Sequence, residues 1–485
     1  MTQKDIPNCF LPVTQLTEKL EKGLLSSLEL VEEYLERIRK HDRNLGAFID
    51  VYEEDSRKAA SASDMARASG HIIGPLQGIP VAVKDIIDIE GKITTGGSMV
   101  WKDRRSTLTA TLVRRMVEAG MIVLGKTHTV EFAMGSFGTN QHMGSPKNPW
   151  DLEEHRATGG SSAGTAAAVA AGLSPWGIGT DTGGSVRIPS AWCGLTGLKT
   201  SVGRISTHGV LPLSHTLDTP GPMCRSVEDA AILYRILAGP DEQDSRTVIH
   251  CVENPFPELK KGISGFKLAR VPDSELENVD PENLEAYENS LKQLEILGAS
   301  IHRVELPNSF AEMGAHVGQI IGAEGFSYVG KFTDDPSMQV DDDVRPRIGL
   351  GKNMSARDYL LLLRGQQQIK KSFLEALDGF DALITPTTAQ PALKLVEIDQ
   401  SGSAAGFTRP VNLIEHCALA LPNGFSSNGL PFSPADRLCS LPGSPGLENW
   451  LGISECNIMA PQVPPGFPLN FDPVFFLLIN IPHRF

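Results

Sequence analysis

Two glycine-serine turns lie close together in the sequence and are the segments best suited to catalysis. The stretch TGGSSAGTAAAVAAGLSPWGIGTDTGGSVRIPS (158–190) contains both turns, separated by one predicted helix and one predicted strand. Consecutive glycines let the backbone approach a ligand closely and direct successive N–H groups into one concavity. The TGGS turn (182–185) can therefore bind a developing oxyanion, with the hydroxyl of Ser185 beside it. This pattern predicts nucleophilic attack by Ser185 on a carbonyl group.

A serine hydroxyl is a weak nucleophile, so a second group has to accept its proton. None of the twelve histidines lies in either turn, so the base comes from elsewhere in the chain. Lys84 follows the apolar run GIPVAV (78–83), which is typical of a buried strand. Because burial disfavours the charged ammonium, Lys84 can lose its proton near neutral pH. Ser161 of the first turn can connect Lys84 to Ser185.

A five-residue pattern in the first turn supports a competing interpretation. Residues 160–164 satisfy GxSxG, the nucleophile elbow of α/β-hydrolases, with Ser162 at the centre. That motif needs a strand directly before it, whereas NPWDLEEHRATG (148–159) is polar and turn-prone. We therefore favour Ser185 as the nucleophile.

Alternating predicted helices and strands surround these turns. Apolar residues recur at helical spacing over residues 14–40, where Gly23 divides two amphipathic helices. Further helices are expected at about 52–69, 108–119, 166–172, 186–193 and 281–297, and within 309–376. Strands are expected at 78–88, 121–124, 176–181, 266–271, 302–306 and 381–386. This alternation predicts one large α/β domain with a mixed, mostly parallel central sheet that helices cover on both faces.

The composition is that of a folded protein that binds neither nucleic acid nor a membrane. A formal net charge of −14 and the lack of a Lys/Arg-rich run argue against a nucleic-acid partner. The first ten residues, MTQKDIPNCF, have no basic region followed by an apolar stretch, and the longest apolar runs are too short to cross a bilayer. Seven cysteines without a CxxC or Cys/His cluster are typical of reduced thiols and form no metal site. We therefore expect a cytoplasmic protein.

Three segments resemble the amidase signature family in residue type, order and approximate spacing. They are Lys84 within GIPVAVKD (78–85), GGSSAGTAAAVA (159–170) and GTDTGGSVRIPS (179–190). The resemblance extends over residues 10–432 and implies the amidase signature fold. It also implies an amidase that hydrolyses a small-molecule carboxamide and uses no metal or organic cofactor.

The resemblance assigns a role to the residues of both turns. Ser161, in a cis peptide bond, is implied to relay the proton of Ser185 to Lys84, and Ser185 to become the acyl-enzyme. The oxyanion hole is implied to consist of the backbone amides of Thr182, Gly183, Gly184 and Ser185. Supporting contacts are implied for Ser162 and for an ion pair of Asp181 with Arg187.

The substrate pocket is expected between the loop 128–142 and the helical region 309–376. Its candidate lining residues near the scissile group are Met134, Gly135 and Ser136. Arg347, within VRPRIGLG, is either a surface arginine or a partner for a substrate carboxylate.

The resemblance leaves two kinds of amidase open. The stretch after the nucleophile (185–218) is more similar to free-standing amidases, particularly in Ile188 and the PLSHTLD run (212–218), so we favour that kind. The alternative is the A subunit of glutamyl-tRNA or aspartyl-tRNA amidotransferase, in which the same relay releases ammonia from glutamine and partner subunits are required. A homodimer is also left open.

Residues 434–485 depart from the family pattern. After NGLPFS (428–433) the family continues with a strand resembling LQIVG and a helix ending near TxWH, whereas this chain is rich in proline and glycine. Codons compatible with PADRLC, read one base later, can encode LQIVC, and those for GLENWLGISECNIMA permit ALRIGWAYQSATSWH. We therefore hypothesise an amidase signature domain over 1–433 and an aberrant, frameshifted tail over 434–485. An inactive or misfolded amidase relative is the non-enzymatic alternative.

Overall fold

A seven-stranded mixed sheet lies at the centre of the structure, a computed structural model that describes residues 6–247, 254–258 and 261–433. The strands are β1 (Phe48–Val51), β2 (Pro80–Lys84), β3 (Ile122–Thr127), β4 (Gly177–Asp181), β5 (Thr196–Lys199), β6 (Thr219–Cys224), β7 (Lys267–Arg270), β8 (Ser300–Arg303), β9 (Ala382–Ile384), β10 (Ala418–Ala420), β11 (Gly424–Phe425) and β12 (Pro431–Phe432). The α-helices are α1 (Val13–Glu21), α2 (Ser27–Leu45), α3 (Glu53–Ala68), α4 (Thr111–Glu118), α5 (Ala163–Ala170), α6 (Arg187–Trp192), α7 (Val227–Leu237), α8 (Pro281–Ile296), α9 (Phe310–Thr333), α10 (Val344–Gly349), α11 (Ala356–Ala376) and α12 (Arg409–Leu413). Short 3-10 helices occupy Asn8–Phe10, Met99–Trp101, Glu131–Ala133, Phe256–Glu258, Asp273–Glu275 and Leu395–Glu397.

Parallel strands at the centre of this sheet bring two of the predicted catalytic segments together. The strand order is β1-β3-β2-β4-β6-β5-β10, with β2 parallel to β3 and β4 and the other neighbours antiparallel. Because neighbouring parallel strands end at the same edge, Lys84 at the end of β2 lies beside the end of β4. All residues of β2 and β4 are buried, and since side chains alternate between faces, both faces are covered there. The predicted mixed α/β architecture is confirmed, and parallel pairing is confined to two of the six neighbouring pairs in this sheet, at its centre.

Strand β6 escaped prediction because its sequence, TPGPMC, contains two prolines. Proline cannot donate to a ladder and usually argues against a central strand. Here β6 pairs with β4 from Thr219 to Met223 but with β5 only at Cys224 and Met223. Pro220 and Pro222 therefore lie where the strand has a partner on one side, which explains why they are tolerated.

Helix α5 is made of small residues, AGTAAAVA, and every one of them is buried. A Cβ atom built on Gly164 would lie 2.2 Å from the carbonyl oxygen of Ala47 and 2.4 Å from the amide nitrogen of His128. The helix thus approaches neighbouring backbone more closely than a larger residue would permit. This packing fixes the turn that immediately precedes α5.

A second, three-stranded parallel sheet has the order β8-β7-β9. The long helix α9, which begins with a capping box of Ser309 and Glu312, packs against α10, α11 and α12. Because α9 contacts both α10 and α12, side chains from chain segments far apart in sequence meet beside the central sheet.

Most element boundaries agree with the sequence prediction to within a few residues. The main shifts are β2, which covers Pro80–Lys84 instead of the expected 78–88, and β8, which covers Ser300–Arg303 instead of the expected 302–306. None of the described helices combines the length and apolar character that crossing a membrane requires. The hypothesis of an aberrant tail concerns 434–485 and lies outside the described residues.

Candidate active site

Lys84 lies at the end of β2, and its side chain is fully buried. Its Nζ donates hydrogen bonds to Ser161 Oγ (2.7 Å) and Thr180 Oγ1 (2.9 Å). Burial lowers the pKa of Lys84 to about 7, although the carboxylates of Asp218 and Asp181 act in the opposite direction. The amine can therefore exchange a proton with a neighbouring hydroxyl near neutral pH.

The first glycine-serine turn holds Ser161 against Lys84. The peptide bond between Gly160 and Ser161 is cis, and the carbonyl oxygen of Ser161 accepts a hydrogen bond from the amide of Val130 (3.1 Å). The side chain of Ser161 has no exposed surface. Its hydroxyl is thus reached from inside the protein by Lys84.

Ser162, the centre of the GxSxG pattern, has a different environment. Its hydroxyl accepts from the amide of Thr180 (3.3 Å) and donates to the carbonyl of Thr180 (3.3 Å). The side chain is fully buried, and within the described chain between β3 and α5 no strand forms ahead of it. These surroundings do not match a nucleophile elbow, which requires a strand directly before the serine.

Asp181, at the end of β4, holds the second turn from inside. Its carboxylate accepts from the amide of Gly184 (2.8 Å) and from Arg187 Nε and Nη2 (3.0 Å each). Arg187 is fully buried and also donates to Thr408 O (3.0 Å) and Asn412 Oδ1 (2.6 Å). Burial alone would raise the pKa of Asp181, but Arg187 and Asn412 hold that pKa well below its usual range. The expected ion pair is present and is completed by two residues that the sequence did not indicate.

The amides of the second turn are not equivalent. No hydrogen bond to another described residue is made by the amides of Thr182, Gly183 and Ser185. Gly184 differs from the prediction, because its N–H already donates to Asp181. The turn is held from outside by Thr408, whose hydroxyl donates to Gly183 O (2.6 Å), and by Asp218, which accepts from the Thr182 hydroxyl (2.5 Å). The free amides are the donors available to a ligand oxygen.

The two turns touch through the backbone, since the amide of Ser162 donates to the carbonyl of Ser185 (3.3 Å). Among the described contacts there is no hydrogen bond between the hydroxyls of Ser161 and Ser185. Catalytic hydrogen bonds are often long before substrate binds. The structure thus contains the hydrogen bond between Lys84 and Ser161, and Ser185 lies in the adjacent turn.

A small cavity of about 60 Å³ lies beside Ser185. The residues expected to line the substrate pocket, Met134, Gly135 and Ser136, all line it, and so does Arg347 of α10. Its other lining residues are Ala133, Thr182, Gly183, Ile188, Leu213, Ile321, Gly402, Ser403, Ala405 and Arg409. The segment 402–409 was not anticipated, because nothing in its local sequence points toward the two turns.

Arg347 is a lining residue and not a surface arginine. Its guanidinium donates to Met134 O (3.3 Å) and to the backbone and side-chain oxygens of Gln400 (2.5 and 2.9 Å). Burial lowers the pKa of Arg347, while the carboxylates of Asp343 and Asp341 oppose that effect. Arg347 thus carries a partly desolvated positive charge at the edge of the cavity.

Neither a metal site nor an exposed thiol accompanies this cavity in the described part of the chain. Residues 6–247, 254–258 and 261–433 contain no group of His, Cys, Asp and Glu side chains suited to hold a metal ion. Within the same ranges, the cysteines are all buried, namely Cys9, Cys193, Cys224 and Cys417.

Comparison with known proteins gives consistent matches over most of the chain. A family model described as Amidase matches residues 29–433. The A subunit of the glutamyl-tRNA(Gln) amidotransferase of Chromohalobacter salexigens is 36% identical over 443 residues, which cover 86% of this chain and 90% of that protein.

Two solved structures extend this likeness to three dimensions. The A subunit of the glutamyl-tRNA(Gln) amidotransferase from Thermotoga maritima superposes with a TM-score of 0.78 at 32% identity, covering 95% of this chain and 98% of that one. The native peptide amidase of Stenotrophomonas maltophilia superposes with a TM-score of 0.78 at 28% identity, covering 89% and 94%.

Proposed function

The chain belongs to the amidase signature family, and on this premise we propose that it hydrolyses a carboxamide C–N bond through an acyl-enzyme on Ser185. The main support is the hydrogen bond from fully buried Lys84 to Ser161, in the turn adjacent to that of Ser185. A base whose pKa is about 7 is suited to proton transfer at neutral pH.

In this reaction, neutral Lys84 accepts the proton of the Ser161 hydroxyl while Ser161 takes that of Ser185. Ser185 Oγ attacks the carbonyl carbon, and the resulting oxyanion accepts hydrogen bonds from the free amides of the turn 182–185. The proton then passes back to the leaving nitrogen as the C–N bond breaks, and ammonia or an amine departs. Water attacks the acyl ester by the same proton route, which releases the carboxylic acid and restores Ser185.

Replacing Ser185 by alanine tests the nucleophile. On a panel of primary amides, we expect turnover to fall by about 10³-fold or more, because removal of a nucleophile leaves only the contribution of binding and oxyanion contacts. Ser190→Ala is the matched control, since Ser190 follows the turn in α6 and its buried hydroxyl has no partner among the described residues. The control should retain activity, and circular dichroism should show both variants folded.

A fluorophosphonate probe that esterifies active serines separates the two candidate nucleophiles. Labelling should disappear in Ser185→Ala. Labelling that survives in Ser185→Ala and disappears in Ser162→Ala would instead support the nucleophile elbow.

The relatives and the sequence pattern favour different physiological settings. The matching proteins from Chromohalobacter salexigens and Thermotoga maritima are A subunits of glutamyl-tRNA(Gln) amidotransferase, which supports a glutaminase role with partner subunits for this chain. The similarity of residues 185–218 to free-standing amidases supports independent action. Glutamine hydrolysis that requires partner subunits and tRNA would support the first setting, and hydrolysis of simple amides by the purified chain alone would support the second.

The covalent relay operates without a metal ion. Activity is therefore expected to persist after treatment with a chelator, and activity lost to the chelator and restored by zinc would contradict the relay. A homodimer and a cytoplasmic location stay predictions.

A further inference from the structure

Two arginines from different helices face the cavity beside Ser185. Arg347 belongs to α10 and Arg409 to α12. A Cβ atom built on Gly183 would lie 3.4 Å from Arg409 Cγ and 3.8 Å from its Nε. A Cβ atom built on Gly135 would lie 3.3 Å from Arg347 Nη1. One guanidinium therefore approaches the turn that carries the nucleophile, and the other approaches the loop opposite it.

Within residues 6–247, 254–258 and 261–433, Arg409 has no partner for its charge. Among the described residues, its side chain makes no hydrogen bond and no carboxylate lies within ion-pair distance. Burial lowers the pKa of Arg409, and the positive charge of Arg347 lowers it further. A half-buried arginine beside a second arginine is unfavourable unless an anion joins it.

The lining of the cavity provides no negative charge. None of its described lining residues is Asp or Glu. The carboxylates that act on Lys84 and Arg347 from outside the lining have partners of their own: Asp218 accepts from Thr182, Leu213 and Ser214, Asp341 accepts from Gln141 and Asp343, and Asp343 accepts from the side chain of Gln141. An ammonium group bound here would meet two positive charges without a counter-charge.

We propose that the substrate is an amide whose acyl part carries a carboxylate and no ammonium, such as a half-amide of a short dicarboxylic acid, and that Arg409 together with Arg347 binds this carboxylate. The inference rests on the proposed amide hydrolysis at Ser185. A guanidinium matches a carboxylate with two parallel hydrogen bonds, and the small cavity suits a short acyl chain. Glutamine, which carries an ammonium beside its carboxylate, fits this charge distribution less well, so the inference favours independent action over the glutaminase role.

Succinamate and succinamide provide a matched pair of substrates, because they differ only in a carboxylate against a carboxamide at the far end. We expect the full chain to hydrolyse succinamate with a kcat/KM at least tenfold above that for succinamide or L-glutamine. Arg409→Met should reduce this preference at least tenfold, mainly through KM for succinamate, and Arg409→Lys should restore part of it. The control is Arg364→Met, which removes an exposed arginine of α11 and should leave the preference unchanged.

A binding measurement separates this inference from the proposed reaction. In the Ser185→Ala background, calorimetry should detect succinate binding that Arg409→Met weakens at least tenfold. Succinate binding, together with a wild-type chain that hydrolyses no amide, would retain the carboxylate site and overturn the proposed reaction. Wild-type hydrolysis of neutral amides without succinate binding would retain the proposed reaction and overturn the carboxylate site. A wild-type preference for succinamide or glutamine, or an equal loss of kcat/KM for both amides in Arg409→Met, would overturn the carboxylate site.

Discussion

The surroundings of a lysine decide whether it can act as a base, and the described part of the chain offers three fully buried lysines for comparison. Lys126 forms an ion pair with Asp85 (3.2 Å) and donates to the hydroxyl of Thr94 (2.8 Å), and Lys199 donates to the backbone carbonyls of Thr200 and His416. Lys84 donates instead to two hydroxyls. A hydroxyl can return a proton to the amine, whereas a backbone carbonyl cannot. Lys84 suits proton transfer because, among the described residues, its hydrogen-bond partners are hydroxyls alone, whereas the carboxylate of Asp85 favours the charged form of Lys126.

The pH dependence of catalysis should report on Lys84. Since the base form is needed and the pKa of Lys84 is about 7, kcat/KM for a neutral amide is expected to rise with pH through about 7 and then level off. Initial rates between pH 5.5 and 9 provide the measurement. A profile that is flat across neutral pH would contradict the assignment of the base.

Stability should depend on the same group in a defined direction. Burial moves the pKa of Lys84 from 10.5 to about 7, so between these values the unfolded chain binds the extra proton. The contribution of Lys84 to stability is therefore full above about pH 10.5 and is lost as the pH falls toward 7. Relative to Lys84→Met, the wild-type protein should gain thermal stability from pH 7 to 10. Parallel profiles for the two proteins would show that Lys84 is not buried as described.

At the scale of elements, the site depends on how a strand end, a turn and a helix start are held together. Asp181 ends β4, Arg187 begins α6, and Asn412 of α12 donates to Asp181 Oδ1 (2.9 Å). The carboxylate of Asp181 accepts hydrogen bonds from Arg187, from Asn412 and from the amide of Gly184. These contacts hold the shape of the turn between β4 and α6. The brace thus links the central sheet to the helix that also carries Arg409.

Breaking this brace should be costly. Asp181→Asn leaves the guanidinium of Arg187 buried without a charge partner, and we expect a loss of about 3–5 kcal/mol in the free energy of unfolding. Denaturant unfolding provides the measurement. In a double-mutant cycle, Asp181→Asn combined with Arg187→Met should cost less than the sum of the two single losses. Additive losses would mean that the pair does not act as a unit.

The close packing of α5 leads to a second prediction at this scale. Gly164→Ala would force a methyl group against the backbone of Ala47 and His128, so we expect a loss of about 1–3 kcal/mol in stability and reduced amide turnover as the adjoining turn shifts. Gly318→Ala on α9 is the control, because its new methyl group meets no heavy atom within 4 Å. That control should be neutral or stabilising by up to about 1 kcal/mol. Equal effects of the two substitutions on stability would contradict the packing described for α5.

At the scale of the whole molecule, the cavity is assembled from segments that the fold brings together from most of the described chain. It takes residues from 133–136, from the turn at 182–185 and from 402–409, with Ile321 and Arg347 added by α9 and α10. Folding errors in any of these regions would therefore be expected to affect substrate binding.

We propose that the segment from about residue 434 is frameshifted. The family match ends at residue 433, immediately before the segment whose codons fit the other frame. Because the family continues there with a strand and a helix, a chain with the restored frame should unfold at a higher temperature and hydrolyse amides faster. Thermal unfolding and rates of both chains provide the test. Independent resequencing that finds an uninterrupted gene in the present frame would contradict the proposal.

The sequence alone was sufficient for the fold class, for most of the described helices and half of the described strands, and for the identity of Lys84, Ser161 and Ser185 as candidates. These features depend on local periodicity and on short motifs, which a linear pattern preserves. Strand β6 was missed because its tolerance of proline depends on which neighbours it has in the sheet. The engagement of the Gly184 amide by Asp181 and the approach of Arg409 to Gly183 also could not be read from the sequence. Both depend on distances between atoms that only the folding of the chain sets. About half of the described chain lies between Gly183 and Arg409.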